Sequence, residues 1–446
     1  MIIEKYLASD YAELDSNVHT GGGTDDTAAL QAILDSADEN HGVHLVMDGA
    51  ALITKLVLHS NTTIECLTKD CGFYQIGHTD DAMITNSGWD NYNLKTKNIT
   101  LLGGTYNQNC REQHHDCRYE DLNEKRMMNF NLAIEFYGVE NLLVRGITIA
   151  EFRTFAFTVG CFRNVTIENV WFDMKHHMMG NQDGFHFWGP GQYLTVKNSG
   201  GCVSDDIMNI GPDERDCFSD ITDVLVDGLF LDDAEQAVRL LTRGTGRLDR
   251  CTIRNITGQY RSFGFYINPW FPDVTHGNFG NIFIENVHLK EHPRTYPYRN
   301  PMLFAIGGNV EHLSMKNIRH SGGNDPRTLF EIGLPFYSNT DYKITPDCPA
   351  HGQRIQTIEI DGFTVTEDVS APEGREYIQL FDRVENFILK NVFVLKEQEK
   401  KNGTLIAMHE MGSIGNLITE SVYTKGLEQL CNAPEKIENR MTAEKI

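Results

Sequence analysis

The sequence has little positive charge and lacks any long apolar run. Its N-terminus, MIIEKYLASDYAELD, has neither the positive start nor the apolar stretch and small-residue cleavage site of a secretory signal. No later stretch is apolar enough to span a bilayer. We therefore expect a chain that does not insert into a membrane and that is cytoplasmic, or secreted after processing.

The charge balance excludes some partners. The chain has 39 Lys and Arg residues against 62 Asp and Glu residues, a net charge of −23. This charge repels phosphate backbones and anionic lipid surfaces, so we expect neither nucleic acid nor membrane as a partner. A polyanionic sugar polymer is disfavoured too, unless basic residues are concentrated in the binding cleft.

Cysteines are too scattered to predict a disulfide framework. Ten are present, and several lie in strand-like apolar runs, such as Cys66 and Cys251. We expect free, buried thiols. The loop from Cys110 to Cys117 has residue types that bind metals, but its spacing matches no zinc site. We therefore expect no metal and no cofactor.

A short phrase recurs along the chain: a polar residue, alternating β-branched residues, a turn residue, and further alternation. Copies begin at Asn141, Asn164, Tyr193 and Asp223, at intervals of 23, 29 and 30 residues. Each copy offers short strands that cannot bury a face alone, so neighbours must stack. The pattern predicts an all-β chain folded as a right-handed, single-stranded parallel β-helix.

No linker interrupts the repeats, so we expect one domain over residues 1–446. Residues 1–60 would form an N-terminal cap and the first coils, residues 61–425 further coils, and residues 426–446 a C-terminal tail. The segment GGGTDDTAALQAILDSA predicts a helix that covers the open end of the β-helix. Its candidate N-caps and apolar positions are Thr24, Asp25 and Asp26, and Ala28, Leu30, Ile33 and Leu34.

The opening GGGTDDTAALQAIL followed by HLVMDGAALIT resembles the pectin-lyase-like superfamily, and within it the polygalacturonase-like glycoside hydrolases of family 28. Two motifs carry the resemblance. Asn181-Gln182-Asp183-Gly184-Phe185-His186 is similar to the family's Asn-Thr-Asp-Gly-hydrophobic-Asp, and Ser204-Asp205-Asp206-Ile207 to its Gly-Asp-Asp-Cys. Their spacing of 22 residues is one coil, which predicts carboxyl groups on adjacent coils.

The resemblance implies a glycosidase that inverts the anomeric carbon of a polysaccharide or oligosaccharide. Asp206 would protonate the leaving oxygen, and Asp183 and Asp205 would hold and deprotonate the attacking water. Crowded carboxyl groups cannot all ionise cheaply, so an acid and a base can coexist, and an inverting pair would stand roughly 6.5 to 9.5 Å apart. The alternative interpretation is that these aspartates are ordinary turn residues.

The family's Gly-His-Gly and Arg-Ile-Lys motifs are not intact. Arg239 aligns with the arginine, with Leu241 at the lysine position, but a second register puts Tyr266 and Asn268 in that coil. Both registers lose the lysine, which disfavours a uronate and favours a neutral or weakly charged sugar.

The other expected substrate-binding residues are Asn181, His186 and Trp188, with aromatic rings as sugar platforms. A structural histidine and core-facing aromatics are the alternatives. Two other functions remain open: a polysaccharide lyase, which would need calcium and a base, and a glycan-binding β-helix without catalysis. A homo-oligomer is compatible with all three.

Overall fold

The structure is a computed structural model that describes residues 2–117, 130–176, 178–269, 277–292, 301–321, 329–333, 352–367, 373–397, 402–409 and 411–442. Nearly all of its regular elements are β-strands, paired in parallel. Chain contacts divide it into two compact units, Met1–Ile210 and Gly211–Ile446. The long loops beginning near Asn107, His292 and Pro335 lie largely outside the described residues.

Among its described residues, the first unit contains one α-helix and fourteen strands, and a fifteenth strand ends one residue past its boundary. The helix is α1 (Thr27–Leu34). The strands are β1 (Ile2–Leu7), β2 (His41–Met47), β3 (Ala50–Ile53), β4 (Leu56–Leu58), β5 (Thr62–Cys66), β6 (Gly72–Gln75), β7 (Ile84–Asn86), β8 (Thr96–Leu102), β9 (Thr105–Asn107), β10 (Ile134–Arg145), β11 (Thr148–Ala150), β12 (Phe157–Glu168), β13 (Trp171–Asp173), β14 (Phe185–Cys202) and β15 (Asp206–Gly211).

Strands of the first unit pair with the strand one coil away rather than with their sequence neighbour. One ladder runs β1–β2–β5–β8–β10–β12–β14, and a second runs β3–β6–β9–β11–β13 and ends on the last residues of β14. A third joins β4 to β7 and β7 to the start of β10. Parallel pairing with a constant offset of one coil is the predicted right-handed parallel β-helix.

The predicted N-terminal helix is present as α1, which packs against β2, β3 and β4. Asp26 occupies the N-cap position, and its carboxylate accepts hydrogen bonds from the backbone N–H groups of Glu13 and Leu14 rather than from the helix. Leu30, Ile33 and Leu34 are buried. Ala28 is exposed, so its place in the expected apolar face was wrong: it lies on the solvent side of the helix.

The second unit repeats the arrangement with fifteen more strands. These are β16 (Ile221–Asp233), β17 (Gln236–Thr242), β18 (Arg247–Tyr260), β19 (Phe263–Pro269), β20 (Asn278–Glu291), β21 (Met302–Ile306), β22 (Asn309–Ser321), β23 (Phe330–Ile332), β24 (Ile355–Glu367), β25 (Glu376–Leu380), β26 (Arg383–Lys396), β27 (Thr404–Met408), β28 (Ser413–Lys425), β29 (Gln429–Cys431) and β30 (Ile437–Thr442). Their parallel ladders are β16–β18–β20–β22–β24–β26–β28–β30 and β17–β19–β21–β23–β25–β27–β29.

The core of each unit is made of side chains stacked from coil to coil. In the second unit, the rings of Phe265, Phe304 and Phe330 stack at 4.7 and 5.1 Å, nearly parallel. Such columns follow from the register, because each residue lies directly above its counterpart one coil away. β29 and β30 continue the ladders beyond residue 425, so the segment expected as a tail contributes to the coils.

The cysteines that the structure describes are all free, and most are buried. This agrees with the thiol state expected from their spacing. Among the described residues, no helix has both the length and the apolar character needed to cross a membrane.

Candidate functional site

Two adjacent coils of the first unit bring the predicted aspartates together. Asp183 lies just before β14, and Asp205 and Asp206 lie where β15 begins. The backbone N–H of Gly184 donates to the Asp206 carbonyl at 2.8 Å, and the N–H of Asp205 donates to the Gln182 carbonyl at 3.1 Å. These two bonds fix one motif directly beside the other.

The three carboxyl groups form a tight cluster. Each has an oxygen within 4.8 Å of an oxygen of both others. Asp183 and Asp206 are each 3% exposed, and Asp205 is half-buried. Two unit charges 4.8 Å apart repel by about 3.5 kcal/mol at an effective dielectric constant of 20. Full ionisation is therefore costly, and we expect the cluster to hold a proton near neutral pH.

Gly184 allows this close approach. A Cβ atom added to it would lie 2.5 Å from the Phe172 ring and 2.6 Å from the Ile207 carbonyl oxygen. Because both neighbours are part of packed coils, any side chain here would push the coil of Asp183 away from that of Asp206. The close packing of the two coils thus explains why the Asp-Gly motif has glycine at this position.

His186 is held against the cluster. Its Nδ1 nitrogen lies 2.8 Å from Oδ2 of Asp183, the distance of a hydrogen bond in which the ring N–H donates. The imidazole stacks on the Phe155 ring with centroids 4.1 Å apart and planes 13° apart. With 1% exposure, this histidine is oriented by an aromatic surface on one side and a carboxylate on the other.

Trp188 lies on the same strand and is also buried, with 2% exposure. Its ring contacts His186 edge-on at 4.9 Å and belongs to a cluster with Leu132, Tyr137 and Phe155. The ring therefore does not present a face to solvent here, as a sugar platform would. Sequence reasoning missed Phe155, although it precedes Asp183 by 28 residues, which is also the length of one coil.

The loop before Asp183 is tied to its neighbours by side-chain amides and hydroxyls. The amide of Gln182 donates to the Phe152 carbonyl at 2.7 Å and its oxygen accepts from the backbone N–H of Met179 at 2.6 Å. Ser204 donates to the Met179 carbonyl. Asn181 is half-buried with φ 64°, so its contribution here is a left-handed turn, which asparagine tolerates well.

Arg239 and Tyr266 belong to the second unit. They are paired in register on β17 and β19, and Leu241 is paired with Asn268. The two alternative registers left open by the sequence are therefore the same position on adjacent coils. The Arg239 guanidinium lies over the Tyr266 ring at 4.7 Å, and the two residues are 6% and 0% exposed. This is a buried cation–π pair.

Among the residues that the structure describes, Asp183, Asp205 and Asp206 are the one group whose geometry could hold a metal ion. The loop from Cys110 to Cys117 does not gather into such a group. Its Cys110 donates to Glu151, and its His114 bonds to Asp80. Carboxylates alone favour a hard cation such as calcium over zinc.

No protein-family model matches this chain, and no curated protein matches it in sequence. Solved structures do match. A tailspike protein mutant of E. coli bacteriophage HK620 in complex with a hexasaccharide has 12% identity and a TM-score of 0.60, covering 93% of this chain and 75% of its own. A family 28 exopolygalacturonase from Yersinia enterocolitica has 13% identity and a TM-score of 0.50, covering 99% of this chain and 79% of its own.

At this identity the likeness concerns the fold. It confirms the fold class predicted from the repeats, a parallel β-helix.

Proposed function

We propose that this protein is a glycoside hydrolase that uses Asp183, Asp205 and Asp206. The observation that carries the proposal is the gathering of three carboxyl groups within 4.8 Å on adjacent coils. Glycoside hydrolysis needs a protonated acid beside an ionised base, and a crowded carboxyl cluster provides both. The structural neighbours, an exopolygalacturonase and a tailspike bound to a hexasaccharide, support a protein that acts on glycans.

The division of roles follows the motifs. Asp206 protonates the leaving oxygen, while Asp183 and Asp205 hold the attacking water and accept its proton. The hydrogen bond from His186 at 2.8 Å favours the ionised form of Asp183 and fixes its orientation, as a base requires. His186 is therefore a positioning residue in this proposal.

The stereochemical outcome depends on carboxyl spacing. Inversion, which the resemblance implies, is associated with groups roughly 6.5 to 9.5 Å apart and retention with about 5 to 5.5 Å. The nearest oxygens of this cluster are within 4.8 Å, shorter than the gap expected from the sequence. Inversion stays the prediction because the motifs resemble those of inverting enzymes, and proton NMR of the freshly released anomer measures it.

The proposed substrate is a neutral or weakly charged glycan. The net charge of −23 repels polyuronates, and the guanidinium of Arg239 is already directed at the Tyr266 ring. Asn181, His186, Trp188, Arg239 and Tyr266 all keep a role in the proposed substrate site. The rings of His186 and Trp188 are buried, so His186 acts by positioning Asp183 and Trp188 by packing against His186 rather than by touching the sugar.

The test is release of reducing ends from a panel of neutral and acidic glycans. We expect Asp206→Asn to lower the rate by about 10²- to 10⁴-fold, the range for loss of a general acid. Asp70→Asn is the matched control, because Asp70 lies on an exposed turn and its carboxylate bonds to no residue that the structure describes. Its rate should equal that of the wild type.

A second candidate is a glycan-binding β-helix without catalysis, and the hexasaccharide bound to the tailspike neighbour supports its glycan-binding part. It predicts glycan retention without turnover, and an unchanged affinity in Asp206→Asn. Release of reducing ends that depends on Asp206 would exclude this candidate, whereas an unsaturated product absorbing in the ultraviolet would indicate a lyase instead.

A further inference from the structure

A polar groove lies on the first unit, and none of the three clustered aspartates lines it. Its volume is about 410 Å³, within the range of small-molecule sites. Its lining residues are His19, Tyr74, Asn107, Asn109, Arg111, Ala150, Glu151, Asp173 and His176.

The floor of the groove is built by register. Tyr74, Asn107, Ala150 and Asp173 occupy the same position on four successive coils, on β6, β9, β11 and β13. Adjacent positions of this kind are about 4.8 Å apart, so the row extends about 14 Å. Ala150 contributes only a methyl group between two polar side chains, which leaves space above the sheet.

Asn107 gives the groove an unused donor. The residue is 2% exposed, and its Oδ1 accepts a hydrogen bond from the backbone N–H of Asn109 at 2.8 Å. Within the part of the chain that the structure describes, its Nδ2 has no hydrogen-bond partner. Because Asn107 lines the groove, a ligand oxygen there can accept a hydrogen bond from this amide.

The walls carry charges of both signs. The Arg111 guanidinium forms no ion pair with any described residue, and neither does the Asp173 carboxylate. Glu151 adds a second carboxylate, which accepts from the Cys110 thiol at 3.4 Å. One guanidinium and two carboxylates around the groove suit a neutral ligand that can both donate and accept hydrogen bonds. The excess of negative charge disfavours an anionic ligand.

An exposed aromatic ring lies beside the groove. Trp171 is two residues before Asp173 on β13, so the two side chains point to the same face of the strand. The ring is 40% exposed, whereas Trp188 is buried. This combination suits a sugar ring, because the aromatic ring can stack on the sugar's C–H groups while the polar groups bind its hydroxyl groups.

We propose that this groove is a second carbohydrate-binding site, specific for a short neutral oligosaccharide and without a catalytic role. It would hold a glycan on the side of the coils while the carboxyl cluster acts on another. The site is argued from its own residues and does not depend on the proposed hydrolysis.

The test is binding to an array of immobilised neutral and uronate-containing oligosaccharides. Asp206→Asn protein is used throughout, so that no glycan is cut. The strongest neutral ligand is then titrated by tryptophan fluorescence, which Trp171 reports. We expect Asn107→Asp and Arg111→Gln each to weaken binding about tenfold, as loss of one directional hydrogen bond does. Asn107→Asp keeps the acceptor for Asn109 and removes the free donor.

Arg163→Gln is the matched control, since Arg163 is an exposed arginine of the same unit that does not line the groove. It should leave the affinity unchanged. The proposal is overturned if no neutral glycan is retained, if uronates alone bind, or if both groove variants bind the glycan as tightly as the protein without the groove substitution. Reducing-end release tests the hydrolase separately, so either proposal can fail alone.

Discussion

Two sets of side chains in the first unit are stacked from coil to coil in the same way, but one set attracts and the other repels. One is a row of asparagines, Asn61, Asn98, Asn141 and Asn164, in which each amide N–H donates to the oxygen one coil before, at 2.8, 3.0 and 2.7 Å. The other is the carboxyl cluster, where coil stacking brings acceptors against acceptors within 4.8 Å.

The amide stack stabilises the fold, whereas the carboxyl cluster does not. An amide carries both a donor and an acceptor, so repetition along the helix axis satisfies each member. An ionised carboxyl group only accepts, so repetition creates repulsion that burial strengthens. A parallel β-helix has no structural need to stack buried aspartates. Their presence favours a functional reason over the interpretation as ordinary turn residues.

The largest expected effect comes from a buried aspartate that has donors, in the second unit. Backbone N–H groups of Arg243, Gly244 and Gly246 donate to Asp213 at 2.7, 2.6 and 3.1 Å. Burial nevertheless raises the pKa of Asp213 from 3.8 to about 6, while these three bonds lower it. This carboxyl group tests whether hydrogen-bond donors can compensate for the burial of an acid.

A raised pKa in the folded state means that folding favours the protonated acid. The stabilisation is complete below about pH 4 and is lost as the pH rises through about 6. The change corresponds to about 3 kcal/mol of unfolding free energy. We expect urea unfolding at about pH 4 and about pH 7 to show this loss in the wild type and to lack it in Asp213→Asn. Equal pH dependence in both proteins would mean that the three donors dominate.

The next effect concerns the carboxyl cluster itself. Asp206→Asn replaces one of the three acids by an amide of the same shape, so the folded protein no longer has to keep that crowded acid protonated at neutral pH. We expect the unfolding free energy at about pH 7 to increase by about 1 to 3 kcal/mol while the activity falls. At about pH 4 the gain should shrink, because the wild-type cluster then holds more protons. A variant less stable than the wild type at both pH values would show that the cluster stabilises the fold.

The coils themselves could be predicted because their turns have a sequence signature. The repeated phrase begins at Asn98, Asn141, Asn164, Tyr193 and Asp223, and all five have φ between 58° and 62°. Asparagine and aspartate tolerate this left-handed conformation, so a polar residue before each alternating run marks a coil. The tyrosine shows that the position, rather than the residue type, is fixed.

The site could be predicted only in part. The spacing of 22 residues located the two motifs on adjacent coils, but coil lengths vary, so counting could not place Phe155 against His186. Alternation along β14 indicates on which face of the strand a side chain lies. It does not indicate whether another segment of the protein covers that face. This is why Trp188 was expected as a platform and is buried.

The smallest effect is the reverse substitution in the amide stack. In Asn141→Asp, the lost N–H leaves two oxygens facing each other at the 3.0 Å contact with Asn98, while the bond from Asn164 at 2.7 Å is kept. The backbone strain is unchanged, since aspartate also tolerates φ 61°. Asn141 is exposed, so water limits the loss of unfolding free energy to about 1 kcal/mol. Urea unfolding of Asn141→Asp and Asp206→Asn side by side measures the change in unfolding free energy of each. We expect a loss of stability where a carboxylate replaces an amide and a gain where an amide replaces a carboxylate. A gain in both variants would show that stacking geometry does not set the sign.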